Sequence, residues 1–341
     1  MKKKISLKDI AKKVGVSTAL VSYVLNNQMT GRIRKEVAQK IKETAKELNY
    51  RPNQIAKSLK LNRSFTIGVI VADISNPFFS TLARIIEDEA NKHNYTVIFG
   101  SADENASKSS KLMHALHDRL VDGFIIAPAE HGEGNIRYLI DHDIPFVLID
   151  RFFPSIETNW ITLDNYHAAM EGIGHLIAGG STKTALVTYE TSLFNLSERK
   201  KGYRDALLKN DILLREEWCI EIPFTADIKL EVERSIDRLL EDNTPIDSIL
   251  FTSNILALHG LKHLHAKGIR IPDQLSLLTF DEMDGFDLFY APLTYLKQPV
   301  TEMGQSATQH LLTLIGNDNE RTMKQKLLPA ELVIRQSTLP V

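Results

Sequence analysis

Apolar residues near the N-terminus recur at helical spacing. Leu7, Ile10, Ala11 and Val14 form one group, Val21, Val24 and Leu25 a second, and Val37, Ile41, Ala45 and Leu48 a third. Steps of three and four place each group on one buried face of a helix. Ser6 can cap the first helix, with Asp9 three positions on lending a carboxylate to its positive end, and this helix runs to about Lys13. Gly15 can take a positive φ in the turn, and Ser17 can cap a second helix reaching about Leu25. A third helix is expected from Lys35 to Asn49, with Arg34 in place of a capping residue. Two short helices joined by a three- or four-residue turn read as a helix-turn-helix, which sets the start of its second helix into a major groove.

The pattern changes after residue 64. Short β-branched runs at 66–71, 96–101, 123–127 and 146–149 alternate with amphipathic stretches at 78–92, 107–119 and 134–142. Further candidate strands follow at 184–188, 219–222, 248–252 and 275–280. Such βαβ alternation predicts an α/β body of two doubly wound parallel sheets, with a ligand cleft outside the carboxyl ends of the strands.

Charge separates the two parts. Residues 1–63 hold 16 Lys and Arg against 4 Asp and Glu, a net +12, and the remainder holds 25 against 39, a net −14. A folded basic head on an acidic body suits a polyanion held by the head alone. Apolar runs such as 67–71 and 146–149 fall far short of the ~20 residues that span a bilayer, so no membrane partner is expected. The opening MKKKISLKDIAKK leads into charged residues, unlike a secretory signal, and a cytoplasmic location is expected. A single cysteine, Cys219, allows no internal disulfide and is expected in the core.

The string SLKDIAKKVGVSTALVSYVLNN, followed by ETAKELNYRPNQIAKSLK and TIGVIVADISNPFF, resembles the lactose-repressor (LacI/GalR) family of bacterial transcription regulators. The likeness extends over nearly the whole chain. It implies an N-terminal all-α helix-turn-helix DNA-binding domain at 1–61 with a hinge helix at 53–59. It also implies a two-lobed type I periplasmic-binding-protein-like core at 65–341 for effector binding and dimerisation. The first lobe is expected at about 65–162 and 295–322, the second at about 163–292 and 323–341.

By position, the resemblance assigns base reading to Thr18, Ala19, Ser22 and Tyr23, and groove or backbone contacts to Leu7, Ser17 and Asn26. It assigns minor-groove hinge roles to Asn53, Ala56 and Leu59, with Leu59 as the wedge. Tyr23 stands where the family commonly carries Arg, so readout is expected to use a hydroxyl, a thymine methyl and water more than charged forks. Arg32, Arg34 and Lys35 add phosphate-directed charge. Around the cleft, the residue types and the resemblance together single out Phe78, Phe79, Asp150, Arg199, Phe224, Asn254 and Asp281. An aromatic face ringed by Asp, Asn and Arg suits a polyol, so a sugar or sugar phosphate is the expected effector. Ile255 follows Asn254 where the family has Asp, and Thr279-Phe280-Asp281-Glu282 departs from the family's Gly-Tyr-Asp-Asp turn.

No catalytic residue, cofactor or metal is expected. His259 and His263 lie four apart with His265 nearby, but no Glu adjoins the first His and no third ligand is evident. The glycines at 132, 134, 179 and 180 form no phosphate-cradling motif. The sequence therefore reads as a ligand-responsive, sequence-specific transcriptional regulator, a repressor of carbohydrate-use genes. It is expected to bind a pseudopalindromic operator as a homodimer, with no leucine heptad for a tetramer. The alternative is a cytosolic sugar-binding protein without a gene-regulatory role.

Overall fold

A computed structural model of the 341-residue chain describes residues 5–26, 33–50, 63–241, 245–316 and 323–338. It separates into two units, residues 1–64 and 65–341.

The N-terminal unit contains α1 (Leu7–Val14), α2 (Thr18–Leu25) and α3 (Lys35–Glu47). Ile10, Ala11, Val21, Val24, Ile41 and Ala45 are buried together, drawn from each of the three apolar stripes in the sequence. Asp9 accepts from the Ser6 backbone N–H at 2.8 Å and from its hydroxyl at 2.7 Å. Gly15 ends α1 at φ 79°, where a Cβ would be strained, and its N–H bonds the Ala11 carbonyl. Ser17 then caps α2 by accepting from Leu20 N–H at 3.2 Å. Arg34 starts α3 without a side-chain cap, and the helix ends at Glu47, two residues short of the expected Asn49.

The larger unit holds two six-stranded sheets. The first uses β1 (Thr66–Val71), β2 (Thr96–Ser101), β3 (Gly123–Ile126), β4 (Phe146–Ile149), β5 (Trp160–Leu163) and β11 (Gln325–Leu328), in the order β11-β5-β4-β3-β1-β2 and all parallel. The second uses β6 (Thr184–Glu190), β7 (Cys219–Pro223), β8 (Ser248–Phe251), β9 (Ser276–Phe280), β10 (Thr294–Lys297) and β12 (Glu331–Val333), in the order β12-β10-β9-β8-β6-β7. Its edge strand β12 runs antiparallel to β10. One strand order therefore occurs twice, β1–β5 with β11 matching β6–β10 with β12, the last strand of each set differing in direction. Each sheet has an apolar cluster on both faces, as doubly wound sheets require.

The first sheet is covered by α4 (Pro77–Lys92), α5 (Ala106–His117), α6 (Glu133–Asp141) and α11 (Val300–Gly316), the second by α7 (Asn165–Ala178), α8 (Phe194–Lys209), α9 (Ile228–Glu241) and α10 (Asn254–Ala266). The chain crosses between lobes at 163–165, 297–300 and 328–331. Two expected lobe boundaries need correction. β10 belongs to the second lobe, where Thr294–Leu296 pair with β9, so the return to the first lobe comes after residue 297 and not at 295. Residues 325–328 belong to the first lobe, since β11 pairs with β5. Gln325-Lys326-Leu327-Leu328 has only two apolar residues and gives little sign of a strand. Cys219 is only partly buried at the start of edge strand β7.

Gly202 brings α7 and α8 together. A Cβ there would lie 2.4 Å from the Tyr166 carbonyl oxygen and 2.8 Å from the Ala169 Cβ. Backbone cannot yield as a flexible side chain does. Gly202→Ala should gain about 1 kcal/mol of helix propensity and lose about 1 to 3 to overpacking, with a backbone clash at the upper end. The expected outcome is a net loss of about 1 to 2 kcal/mol in urea unfolding of the full-length protein; unchanged or higher stability would contradict this close crossing.

Candidate functional site

Residues at or just beyond the carboxyl ends of strands line a cleft of about 360 Å³ between the lobes of the larger unit. Six of the seven expected effector residues line it: Phe78, Phe79, Asp150, Arg199, Phe224 and Asp281. Asn254 does not. It is fully buried at the start of α10 and donates to Asn76 Oδ1 at 3.2 Å, joining the lobes, while its neighbours Ser253 and Ile255 face the cleft. Ile255 makes that wall apolar, alongside Leu196 and Ile228.

Repeated topology explains where the carboxylates sit. Asp150 follows β4 and Asp281 follows β9, equivalent strands of the two lobes, and both adopt left-handed backbone at φ 66° and 69°. Each N–H bonds the neighbouring strand, to the Ile161 and Leu296 carbonyls, both at 3.0 Å. Asp tolerates this region better than most residues, yet the conformation still costs on the order of 1 kcal/mol, and such strain clusters at functional sites.

Aromatic rings form two walls. Phe78 and Phe79 meet edge to face at 4.9 Å from one lobe, and Tyr189 stacks on Phe224 at 4.2 Å and 14° from the other. Both phenylalanines also belong to the first lobe's core, so they serve packing and cleft together. Arg199 is held rigidly: Nε donates to Asn165 Oδ1 at 2.7 Å, Nη1 to the Thr252 carbonyl at 2.6 Å, and its guanidinium lies 4.0 Å over the Phe280 ring. Arg151 is buried too, giving Nη1 and Nη2 to Glu104 at 2.6 and 2.8 Å, with Nε 3.2 Å from Asp150 Oδ2. Gln298 donates to Asp281 Oδ1 at 2.7 Å.

Burial leaves oxygen acceptors in excess. Asp150 Oδ1, Asn195 Oδ1 and Gln298 Oε1 in the cleft, and Asn254 Oδ1 beside it, are buried without a hydrogen-bond partner, against one unpartnered donor in the lining, Arg151 Nε. Buried polar atoms are nearly always satisfied in proteins, so a cluster of acceptors calls for a ligand that brings donors. Sequence reasoning missed Glu104, Arg151, Tyr189, Asn195 and Gln298. The strand-end rule already pointed to Glu104 after β2 and Tyr189 in β6; Gln298 lies on a crossing that the sequence put elsewhere. No group of three or more His, Cys, Asp or Glu suited to a metal occurs among the described residues.

In the N-terminal unit, Thr18, Ala19 and Tyr23 are exposed along α2 while Val21 and Val24 are buried, so packing presents the expected reading face outward. Ser22 is half-buried, and exposed Asn26 donates to its carbonyl at 2.8 Å and its hydroxyl at 3.3 Å. The Ser17 hydroxyl is engaged in the cap. Leu7 is half-buried against the three-helix core. Asn53, Ala56 and Leu59 lie outside the described residues.

Residues 6–53 match the model for bacterial regulatory proteins of the lacI family, and residues 173–338 that for a periplasmic binding protein-like domain. The HTH-type transcriptional regulator DegA of Bacillus subtilis is 32% identical over 99% of this chain and 99% of its own. The chain belongs to the LacI family. The ribose operon repressor of Halalkalibacterium halodurans is 31% identical over 98% of this chain and 97% of its own. A LacI family regulator from Enterococcus faecium with bound ribose is 30% identical, at TM-score 0.70 over 81% of this chain and 99% of that one. The lac repressor dimer bound to operator and an anti-inducer shares the fold, at TM-score 0.85 and 23% identity over 99% of this chain and 100% of that one. As a LacI-family member the protein is a ligand-responsive, DNA-binding transcriptional regulator. Among the described residues no helix is long and apolar enough to cross a membrane.

Asp150 gives this LacI-family cleft a pH signature. Burial pushes its carboxyl up to about 6, against the lowering pull of Arg151 and Arg199, whereas the unfolded chain ionises near 4. Between those values the folded state binds the extra proton, so this group's contribution to stability is full at low pH and is lost as pH rises through about 6. Asp150→Asn removes the burdened charge. The variant should be more stable than the parent by on the order of 2 kcal/mol at pH 7.5, with the difference gone by pH 4. Urea unfolding at both pH values checks it, and a less stable variant at pH 7.5 would show that the carboxylate is a net structural asset.

Proposed function

We propose that the protein is a cytoplasmic repressor of carbohydrate-use genes, binding a pseudopalindromic operator as a homodimer and answering to a sugar in the cleft. The observation that carries the reading is the cleft itself: aromatic walls above buried oxygen acceptors that have no donor. Polyols bring an apolar ring face and a rim of hydroxyl donors, which is what such a surface can bind. Relatives named as a ribose operon repressor and as a ribose-bound regulator support the sugar class.

On this reading, Thr18, Ala19, Ser22 and Tyr23 meet base edges, with Leu7, Ser17 and Asn26 at groove or backbone. The hinge roles of Asn53, Ala56 and Leu59 belong to the same proposal. One small helical unit makes few contacts, so specificity requires two units on an inverted repeat. The sugar shifts operator affinity by its differential binding to two lobe arrangements, typically ~1 to 3 kcal/mol.

With net charge +12 in residues 1–63, operator affinity should fall about a thousandfold or more between 50 and 200 mM salt if six or more phosphates are neutralised. Tyr23→Ala should weaken operator binding by about 1 to 3 kcal/mol while leaving random-duplex binding within twofold. Titrations against a selected inverted repeat and random duplex measure both. A flat salt response, or equal losses on the two duplexes, would contradict this assignment of the reading face; loss of DNA binding with intact sugar binding on removal of residues 1–64 would separate the two activities.

A further inference from the structure

Arg151 is the cleft cation that a phosphate ester would be expected to use, and it is already taken. Glu104 meets it fork to fork at 2.6 and 2.8 Å, and Asp150 Oδ2 lies 3.2 Å from the remaining nitrogen. Both terminal nitrogens therefore donate to Glu104, while Nε is ion-paired with Asp150 without a hydrogen bond. A bidentate Arg–carboxylate pair has the geometry of an Arg–phosphate pair, so Glu104 fills the place that an anionic ligand would need.

The backbone holds Glu104 there against local preference. Asp103 and Glu104 are successive residues of positive φ, 50° and 54°, and the Glu104 N–H bonds the Ala72 carbonyl at 3.0 Å. Asp is enriched in this region of backbone; Glu is not, so the turn is strained where its side chain meets Arg151. The wider cleft agrees. Its lining carries five carboxylates (Asp73, Asp103, Glu104, Asp150, Asp281) and two guanidinium groups. Lys108 neutralises Asp103 at the rim. Arg199 is committed to Asn165 and Thr252 through two of its three nitrogens.

Independent evidence comes from Asp150 Oδ1 and Gln298 Oε1, on residues each 3% exposed, which line the cleft without partners. The Gln298 amide is oriented by donating to Asp281, so the atom it leaves is an acceptor. Phosphate oxygens are acceptors at neutral pH and would satisfy neither atom.

We propose that Glu104 sets the charge class of the effector: by occupying Arg151 it closes the cleft to phosphorylated sugars and reserves it for a donor-rich ligand with no anionic group. The inference rests on the sugar-cleft reading and narrows it. The side chain is a specificity-determining one that acts through Arg151. Glu104→Gln removes the charge at nearly constant shape and releases the guanidinium to an incoming anion. Glu104→Asp keeps the charge and serves as the rescue variant.

Calorimetric titration of the full-length parent, Glu104→Gln and Glu104→Asp tests this, with thermal melts verifying that each is folded. Probes are D-ribose with D-ribose 5-phosphate, D-glucose with D-glucose 6-phosphate, and inorganic phosphate alone. The parent should bind a free sugar at least tenfold tighter than its phosphate ester and show no saturable binding of inorganic phosphate. Glu104→Gln should reduce that preference at least tenfold and acquire saturable phosphate binding, and Glu104→Asp should behave as the parent. A parent that prefers the ester, or a folded Glu104→Gln variant with an unchanged preference and no gain of phosphate binding, overturns the proposal. Phosphate gained by Glu104→Gln while no sugar binds the parent upholds the charge filter and sinks the sugar reading; a sugar that binds without any shift does the reverse.

Discussion

Four charged side chains, Asp150, Arg151, Arg199 and Asp281, are buried where the two lobes face each other, and the arrangement of the cleft follows from keeping them there. Isolated charges cannot be buried at tolerable cost, so each needs partners, and those partners come from several elements. Glu104 comes from the end of β2, Asn165 from the start of α7, Thr252 from the end of β8 and Gln298 from just beyond β10. Even so, the compensation is incomplete. Burial holds Asp281 above the usual carboxylate range despite the opposing pull of Arg199 and the hydrogen bond from Gln298. A fold selected for stability alone would do better with apolar groups at these positions; the unmet electrostatic demand is what a ligand can relieve.

The two partners on lobe crossings matter most for response. Asn165 lies at the first crossing and fixes Arg199; Gln298 lies at the second and fixes Asp281. Any change in charge or hydrogen bonding at these two residues acts directly on the segments about which the lobes would turn. Three more bonds join the lobes: Asn254 to Asn76, and the Ser192 N–H and hydroxyl to Glu130 Oε1 at 2.5 and 2.7 Å. The ligand site and the lobe contacts thus share side chains, as a sensor requires and a passive carrier does not.

Much of this was readable in the sequence. The three-helix head followed from apolar spacing and from Ser6, Gly15 and Ser17, because capping and positive φ are local properties. The strands through 149 were legible because parallel strands buried on both faces are continuous β-branched runs. β5, β10, β11 and β12 escaped notice because their short runs, such as Trp160-Ile161-Thr162-Leu163 and Gln325-Lys326-Leu327-Leu328, mix polar residues with apolar ones instead of forming a continuous apolar block. For the cleft, residues at strand ends were recoverable because topology sends them there. Asn254 was misjudged, since whether a residue at a helix start faces ligand or the opposite lobe depends on the neighbouring Asn76. Glu104 and Gln298 were invisible for a related reason: their importance lies in Arg151 and Asp281, and sequence spacing does not record such pairings.

A ligand need bring little energy to act on this machinery. Satisfying a buried acceptor is worth roughly 1 kcal/mol net for a neutral donor and more at a carboxylate. Asp150 Oδ1 and Asn195 Oδ1 line the cleft from different lobes and are both unpartnered, so one ligand touching both gains only when the lobes stand at the right separation. Two such bonds, available in one lobe arrangement and lost in the other, supply about 2 to 3 kcal/mol of differential binding. That is the size of a typical allosteric coupling. The buried, under-satisfied floor is therefore enough to convert occupancy into a change of lobe geometry, and neither cofactor nor covalent step has to be invoked.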